Sequence, residues 1–185
     1  MPEKRVHGVL IECVQGDIAS QPDMQAVVNA ANAWLRPGGG VAGAIHRAAG
    51  PGLEEECRVL APINPGEAVI SGAHNLPNEY VIHCLGPVYG RDEPAAELLA
   101  DCYRNAVRVA EENAITSIAF PSISTGVFGY PKHEAAQVAF KTILDLLPSL
   151  KTLRHIRFVL FSAEDASLHA EVFEALVPEE NSYAG

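Results

Sequence analysis

Apolar residues recur along this chain in two rhythms, and the switches between them predict its elements. Short runs rich in β-branched residues, bounded by Gly, Pro, Asn or Asp, read as strands over Val6–Val14, Ala26–Ala31, Ala68–Ser71, Tyr80–Leu85, Ser117–Ile123 and Ile156–Ser162. Between them the apolar spacing lengthens to the helical period. Pro94–Asn113 puts Leu98, Cys102, Ala106 and Val109 on one face. Pro131–Leu147 opens with proline at a first-turn position, where its missing N–H costs nothing. Asp165–Leu176 keeps Leu168, Val172 and Leu176 in register, and a small-residue helix starts at about Ala42–Ala44 and runs to Leu60, broken at Pro51-Gly52. Strands alternate with helices, and the later strands are apolar at nearly every position. That pattern predicts an α/β sheet covered by helices on both faces. No repeat, linker or low-complexity stretch interrupts it, so one domain is expected over residues 1–177, with a frayed tail at 178–185.

Composition narrows the function. A chain of 185 residues with 48% apolar content can bury a full core. No apolar run reaches membrane-spanning length and the start, MPEKRVHG, lacks the apolar core of a signal peptide; a cytoplasmic protein without a membrane partner is expected. Cys13, Cys57, Cys84 and Cys102 are scattered and form no C-x-x-C, which reads as buried thiols. The histidines form no i, i+4 pair and no Cys/His box, so no metal site is expected. The net charge is −10. Duplex DNA is disfavoured as a partner, because its binding relies on Lys and Arg neutralising phosphates. A small phosphorylated ligand is not excluded, since it needs only local N–H donors.

The candidate chemistry centres on Val27–Gly50, VVNAANAWLRPGGGVAGAIHRAAG. A strand, an Asn pair, a Gly-rich loop and a helix start follow one another, and the first N–H groups of that helix would point at whatever sits in the loop. No lysine lies inside it, so the backbone would do the binding. Gly38, Gly40 and Gly43 spell G-x-G-x-x-G, but Asn32–Pro37 separates them from the strand, and the Ala68–Ser71 strand ends in Gly-Ala-His rather than an acid. A dinucleotide fold is rejected on those grounds. A second Gly-rich loop, SISTGVFGY at Ser122–Tyr130, also follows a strand and precedes a helix, so the two loops could close on one diphosphate. Asp17 fits an ordinary turn or a carboxylate accepting from an exocyclic amine such as adenine N6. Asn32 fits a turn or a sugar hydroxyl. Phe161 fits the core or a base stack.

Five stretches now stand in order across nearly the whole chain: GDI at Gly16–Ile18, VVNAAN at Val27–Asn32, GGGVAGAIHRAAG, HCLGP at His83–Pro87, and SISTGVFGYP. Together they resemble the macrodomain family, nearest at the helix-start loop to its MacroD-type branch. The resemblance implies a three-layer α/β/α sandwich with a central mixed, largely parallel sheet that binds ADP-ribose. On that pattern Asp17 would hold the adenine amine, with the Ile18 backbone beside it and Phe161 packed on the base. Ser122, Ser124, Thr125, Gly126, Val127 and Phe128 would wrap the diphosphate with backbone N–H groups. They would face Gly39, Gly40, Val41, Ala44 and Ile45. Asn32 and the Gly38–Gly40 turn would hold the distal ribose, with Phe128 against its ring.

One departure bears on activity. MacroD-type hydrolases usually carry Asp in this loop as G-V-D-G, and here the run is Gly40-Val41-Ala42-Gly43. Ala42 can neither activate water nor orient a ribose. Asn32 and Gly40 remain at the reacting end, with His46 at most an auxiliary. Macrodomains similar at this loop, including viral ones with G-V-A, are hydrolases in which the substrate's own phosphate is proposed to position the water. A positioned general base is worth roughly 10²–10⁴-fold, and orientation with preorganised donors can be worth as much. The resemblance therefore implies a metal-independent, cofactor-free monomeric hydrolase of ester-linked ADP-ribose, on acidic side chains of proteins or in O-acetyl-ADP-ribose. The alternatives are a non-catalytic ADP-ribose reader and an ADP-ribose 1″-phosphate phosphatase.

Overall fold

By Val9 the backbone has already turned back on itself. The computed structural model, which describes residues 2–179, opens with a hairpin of β1 (Glu3–Val6) and β2 (Val9–Gln15) where the hydrophobic pattern suggests one strand from Val6 to Val14. The turn is His7-Gly8, with φ of 51° and 76°. Two successive positive φ values match the twist of a two-residue hairpin loop, and Val6 pairs with Val9 across it.

The remaining elements are β3 (Ala26–Ala30), α1 (Gly40–Ala49), α2 (Pro51–Cys57), β4 (Ala68–Gly72), β5 (Tyr80–Cys84), α3 (Ala95–Glu112), β6 (Ser117–Phe120), α4 (Lys132–Leu146), β7 (His155–Leu160) and α5 (Ala163–Leu176). They form a seven-stranded sheet in the order β1-β2-β7-β6-β3-β5-β4. Pairings from β2 to β5 are parallel, and β1 and β4 are antiparallel edges. The sheet is thus mixed and largely parallel. Residues 180–185 of the expected frayed tail lie outside the described residues.

Strand alternation sorts the core into two layers. Val27, Val81, Ala119 and Val159 face α1 and α2, while Val28, Ile82, Phe120 and Phe158 face α3, α4 and α5. All eight are at most 3% exposed, which is why these strands read as continuous apolar runs. On the three-helix side aromatic rings interlock: Phe140 lies 4.7 Å from Phe158, and Tyr103 5.2 Å from Phe120.

Among the boundaries that differ from the sequence pattern, two have plain local reasons. β6 stops at Phe120, not Ile123, because Pro121 has no N–H to continue the ladder. α5 starts at Ala163, capped by Ser162, whose hydroxyl accepts from Asp165 N at 3.0 Å.

This topology positions the site. β3 and β6 are neighbours, yet β3 leads to α1 on one face and β6 leads to α4 on the other. Their outgoing loops therefore diverge and leave a crevice at the carboxyl ends of the strands.

Candidate functional site

The first wall of the crevice is built by the run after β3. Asn32 Oδ1 accepts from Arg36 N at 3.0 Å, and its Nδ2 donates to Arg36 O at 2.8 Å. Leu35, at φ 56° and 1% exposed, turns inward to let the loop fold around that amide. One lone pair and one N–H of the Asn32 amide stay available. The loop then returns against the helix it precedes: a Cβ on Gly43 would sit 2.3 Å from the Gly38 carbonyl oxygen, so only glycine permits this approach. α1 begins after Gly39 with no side-chain cap and no acid in its first turn. Its leading N–H groups thus have no carboxylate or hydroxyl from the chain competing for them.

The opposite wall is the loop after β6. Ser122 Oγ and Thr125 Oγ1 share a 2.6 Å hydrogen bond, Ser124 sits at φ 68°, and its carbonyl accepts from Tyr130 N at 2.8 Å. Gly86, after β5, lies underneath. A Cβ there would stand 2.0 Å from Ser124 Oγ.

Between the walls lie two adjoining hollows, about 340 and 400 Å³, which share Gly40, Val41, Ser122 and Gly126. The first is lined by Asn32, Gly39, Ser124, Val127 and Phe128, together with Ala42, Gly86 and Ile123, and no ionisable side chain reaches it. The second is lined by Asp17, Ile18, Ala44, Thr125 and Phe161, together with Arg47 and Asp165. Asp17 Oδ1 accepts from Ala19 N at 2.9 Å, which fixes the carboxylate and leaves its other oxygen to the hollow. Phe161 is 83% exposed, so the core reading of this ring is set aside.

Two expected site residues lie elsewhere. Ile45 is fully buried in the layer beneath α1, and His46 lines neither hollow. The helix turns that face toward the sheet, because it is the face carrying Ile45 and Ala49. His46 is 5% exposed, neither ring nitrogen has a hydrogen-bond partner among the described residues, and burial pulls its pKa below the ordinary value. The ring thus sits in the layer behind the wall, outside both hollows. Next to it His83 is fully buried, with Nδ1 3.1 Å from Asn29 Nδ2 and Nε2 2.8 Å from Ser71 Oγ. Desolvation, reinforced by His46, lowers its pKa to about 3.

Among the lining residues that sequence reasoning does not assign to the site are Gly86, Arg47 and Asp165. Gly86 reads only as a strand terminator, since its neighbour Ser124 is remote in sequence. Arg47 reaches the hollow because helical side chains lean toward the N-terminus, a signal available from its i+4 spacing to Gly43. Asp165 is delivered by the start of α5, where it pairs with Lys132 at 2.8 Å. Among the described residues no group of three or more His, Cys, Asp or Glu side chains is placed to hold a metal ion.

A largely parallel sheet with two glycine-rich turns meeting over its switch point defines the class, an α/β protein with a ligand-sized crevice at the carboxyl ends of its strands. The chain belongs to the Macro domain family, whose pattern matches residues 28–139. It is 46% identical over 167 residues to the O-acetyl-ADP-ribose deacetylase of Salmonella typhimurium, covering 88% of this chain and 93% of that one. The solved Oceanobacillus iheyensis macrodomain with ADP superposes with a TM-score of 0.91 at 39% identity, over 95% of this chain and 96% of that one. The Trypanosoma brucei macrodomain in complex with ADP-ribose superposes at 0.82 with 34% identity, over 87% of this chain and 68% of that one.

Proposed function

We propose that this macrodomain binds ADP-ribose along the two joined hollows and hydrolyses its esters, O-acetyl-ADP-ribose first and carboxylate-linked mono-ADP-ribose on proteins second. The observation that carries the reading is the meeting of the two glycine-rich turns. They offer uncompeted N–H donors to a diphosphate, with a hollow at each end for the two ribosyl halves. Similarity to the deacetylase over most of both chains supports the reaction class.

In this reading Asp17 and Phe161 take the adenine, Gly40, Val41, Ser122 and Gly126 take the diphosphate, and Asn32 takes the distal ribose. Water adds to the acyl carbon, the bond from that carbon to the ribose oxygen breaks, the ribose oxygen takes one of the water's protons, and the acid leaves as carboxylate with the other proton released to solvent. The first hollow offers no side-chain base for the water. The substrate's own diphosphate is then the group left to orient the water, and the chain contributes positioning and preorganised donors. Release of acetate from O-acetyl-ADP-ribose, followed by chromatography, tests this. The expected outcome is slow but saturable turnover that depends on Asn32.

A second reading is favoured by one observation: the methyl group of Ala42 lines the first hollow, and no carboxylate does. On that ground the domain is an ADP-ribose reader without turnover. Tight calorimetric binding with no acetate released would select it.

A further inference from the structure

The turn that carries Asp17 is held from behind. Its carbonyl oxygen accepts from Ser20 N and from Gln21 Nε2, each at 2.9 Å, which uses both lone pairs. Gln21 is 8% exposed, a position glutamine takes only when its amide is paired. Its Oε1 accepts from Arg157 Nη1 at 2.8 Å. Arg157 is immobilised in turn. Its Nε donates to Glu12 Oε1 at 2.7 Å, and Asp23 holds the guanidinium through both oxygens at 2.8 and 2.6 Å. Asn78 closes the bracket, donating to the carbonyls of Gln21 and Met24 at 2.7 Å each.

None of Glu12, Gln21, Asp23 and Arg157 lines either hollow. The chain of bonds ends on the peptide group of Asp17, whose carboxylate is already pinned on one oxygen by Ala19 N. The position of the remaining oxygen is therefore set by the relay. An acceptor selects a donor only when held to within about 0.5 Å and 10–20°. Sites on loops hold such geometry less closely than sites on strands or helices, and here the turn is tied to a doubly clamped arginine on β7.

We propose that Gln21 and Arg157 are positioning residues that aim Asp17 at the amine of an adenine base, so that the protein selects adenine from hypoxanthine through groups that never touch the ligand. This rests on the ADP-ribose reading above. In inosine diphosphate-ribose an oxygen replaces the amine, and the carboxylate then faces an acceptor. One hydrogen bond to a charged group, at about 1.5–3 kcal/mol, corresponds to a ten- to hundredfold preference.

The test is calorimetric affinity of the whole chain for ADP-ribose and for inosine diphosphate-ribose. Gln21→Leu leaves the Arg157 ion pairs in place, so it keeps the test alive if Arg157→Gln does not fold. The wild type is expected to prefer ADP-ribose by about tenfold or more. Both variants should bring the ratio toward one while affinity for the inosine ligand stays within roughly threefold. Asp17→Ala should remove the preference, and adding Gln21→Leu to it should change nothing further, because residues acting through one another are not additive. A wild type that binds both ligands equally overturns the proposal. So do variants that weaken both ligands in proportion, as a merely structural loss would, and so does additivity with Asp17→Ala. A wild type that binds neither ligand overturns the ADP-ribose reading and this proposal with it.

Discussion

At Gly43 a hydrogen atom in place of a methyl group decides where the helix can begin. Alanine is the better helix former by about 0.8–1 kcal/mol. Its Cβ would nevertheless stand 2.3 Å from the Gly38 carbonyl, which is backbone and cannot rotate away. The clash wins, and the loop must move off α1. Because the moved loop would lose hydrogen bonds to a charged group, worth about 1.5–3 kcal/mol each, Gly43→Ala is expected to lower calorimetric affinity for ADP-ribose by at least tenfold; unchanged affinity would contradict the tight approach. Asn32 makes a different prediction. Asn32→Ala removes the two bonds to Arg36, worth about 1 kcal/mol each, and it reaches only the distal end of the ligand. Turnover of O-acetyl-ADP-ribose should fall further than affinity. A large loss of affinity with turnover intact would remove Asn32 from the reacting end.

The elements that matter for the site are the two loops, and they differ in how they are held. The loop before α1 is shaped by glycine contacts and by the Asn32 amide. The loop after β6 is braced from below by Gly86 and, at the heads of the helices beyond it, by the Lys132–Asp165 ion pair. Gly126 is shared by both hollows and has open space where a Cβ would stand. Gly126→Glu should therefore fold normally and abolish ADP-ribose binding, because it places a carboxylate where the diphosphate is proposed to lie; calorimetric affinity within roughly twofold of wild type would contradict that. The elements themselves were legible in the hydrophobic pattern wherever burial was two-sided or the helical stripe was long. The His7-Gly8 hairpin was not, because histidine at positive φ gives no strong turn signal. For His46 the spacing puts it on the face of Ile45 and Ala49, but nothing local says that the sheet, and not the ligand, takes that face. The closeness of Gly86 to Ser124 and the reach of Arg157 to Gln21 are contacts between remote parts of the chain, which no local pattern encodes.

Across the whole molecule an acidic chain presents a crevice whose first hollow is uncharged, so in the proposed reading the grip on an anion there falls to peptide dipoles, with Arg47 a side-chain cation at the adjoining second hollow. The layer behind that crevice carries a pH liability. Burial pulls His83 down to about 3 and His46 below its ordinary value. In the unfolded chain both take up protons below about pH 6.5, so between those limits the unfolded state holds more protons than the folded one. Stability then falls as pH drops from about 6.5, with His83 contributing up to roughly tenfold in the folding equilibrium per pH unit and His46 acting in the same direction. His83→Gln is expected to flatten the dependence of Tm on pH between about 6.5 and 5; a profile parallel to wild type would show that His83 is not a source.

The central claim is that backbone amides from two turns hold the diphosphate together. Amide chemical-shift mapping during titration with ADP-ribose tests it most directly. The account predicts large, saturable shifts at Gly40–Ala42 and at Gly126–Phe128 in the same titration, with matching midpoints. Shifts confined to one of the two turns, or absent from both while the ligand binds, would contradict it.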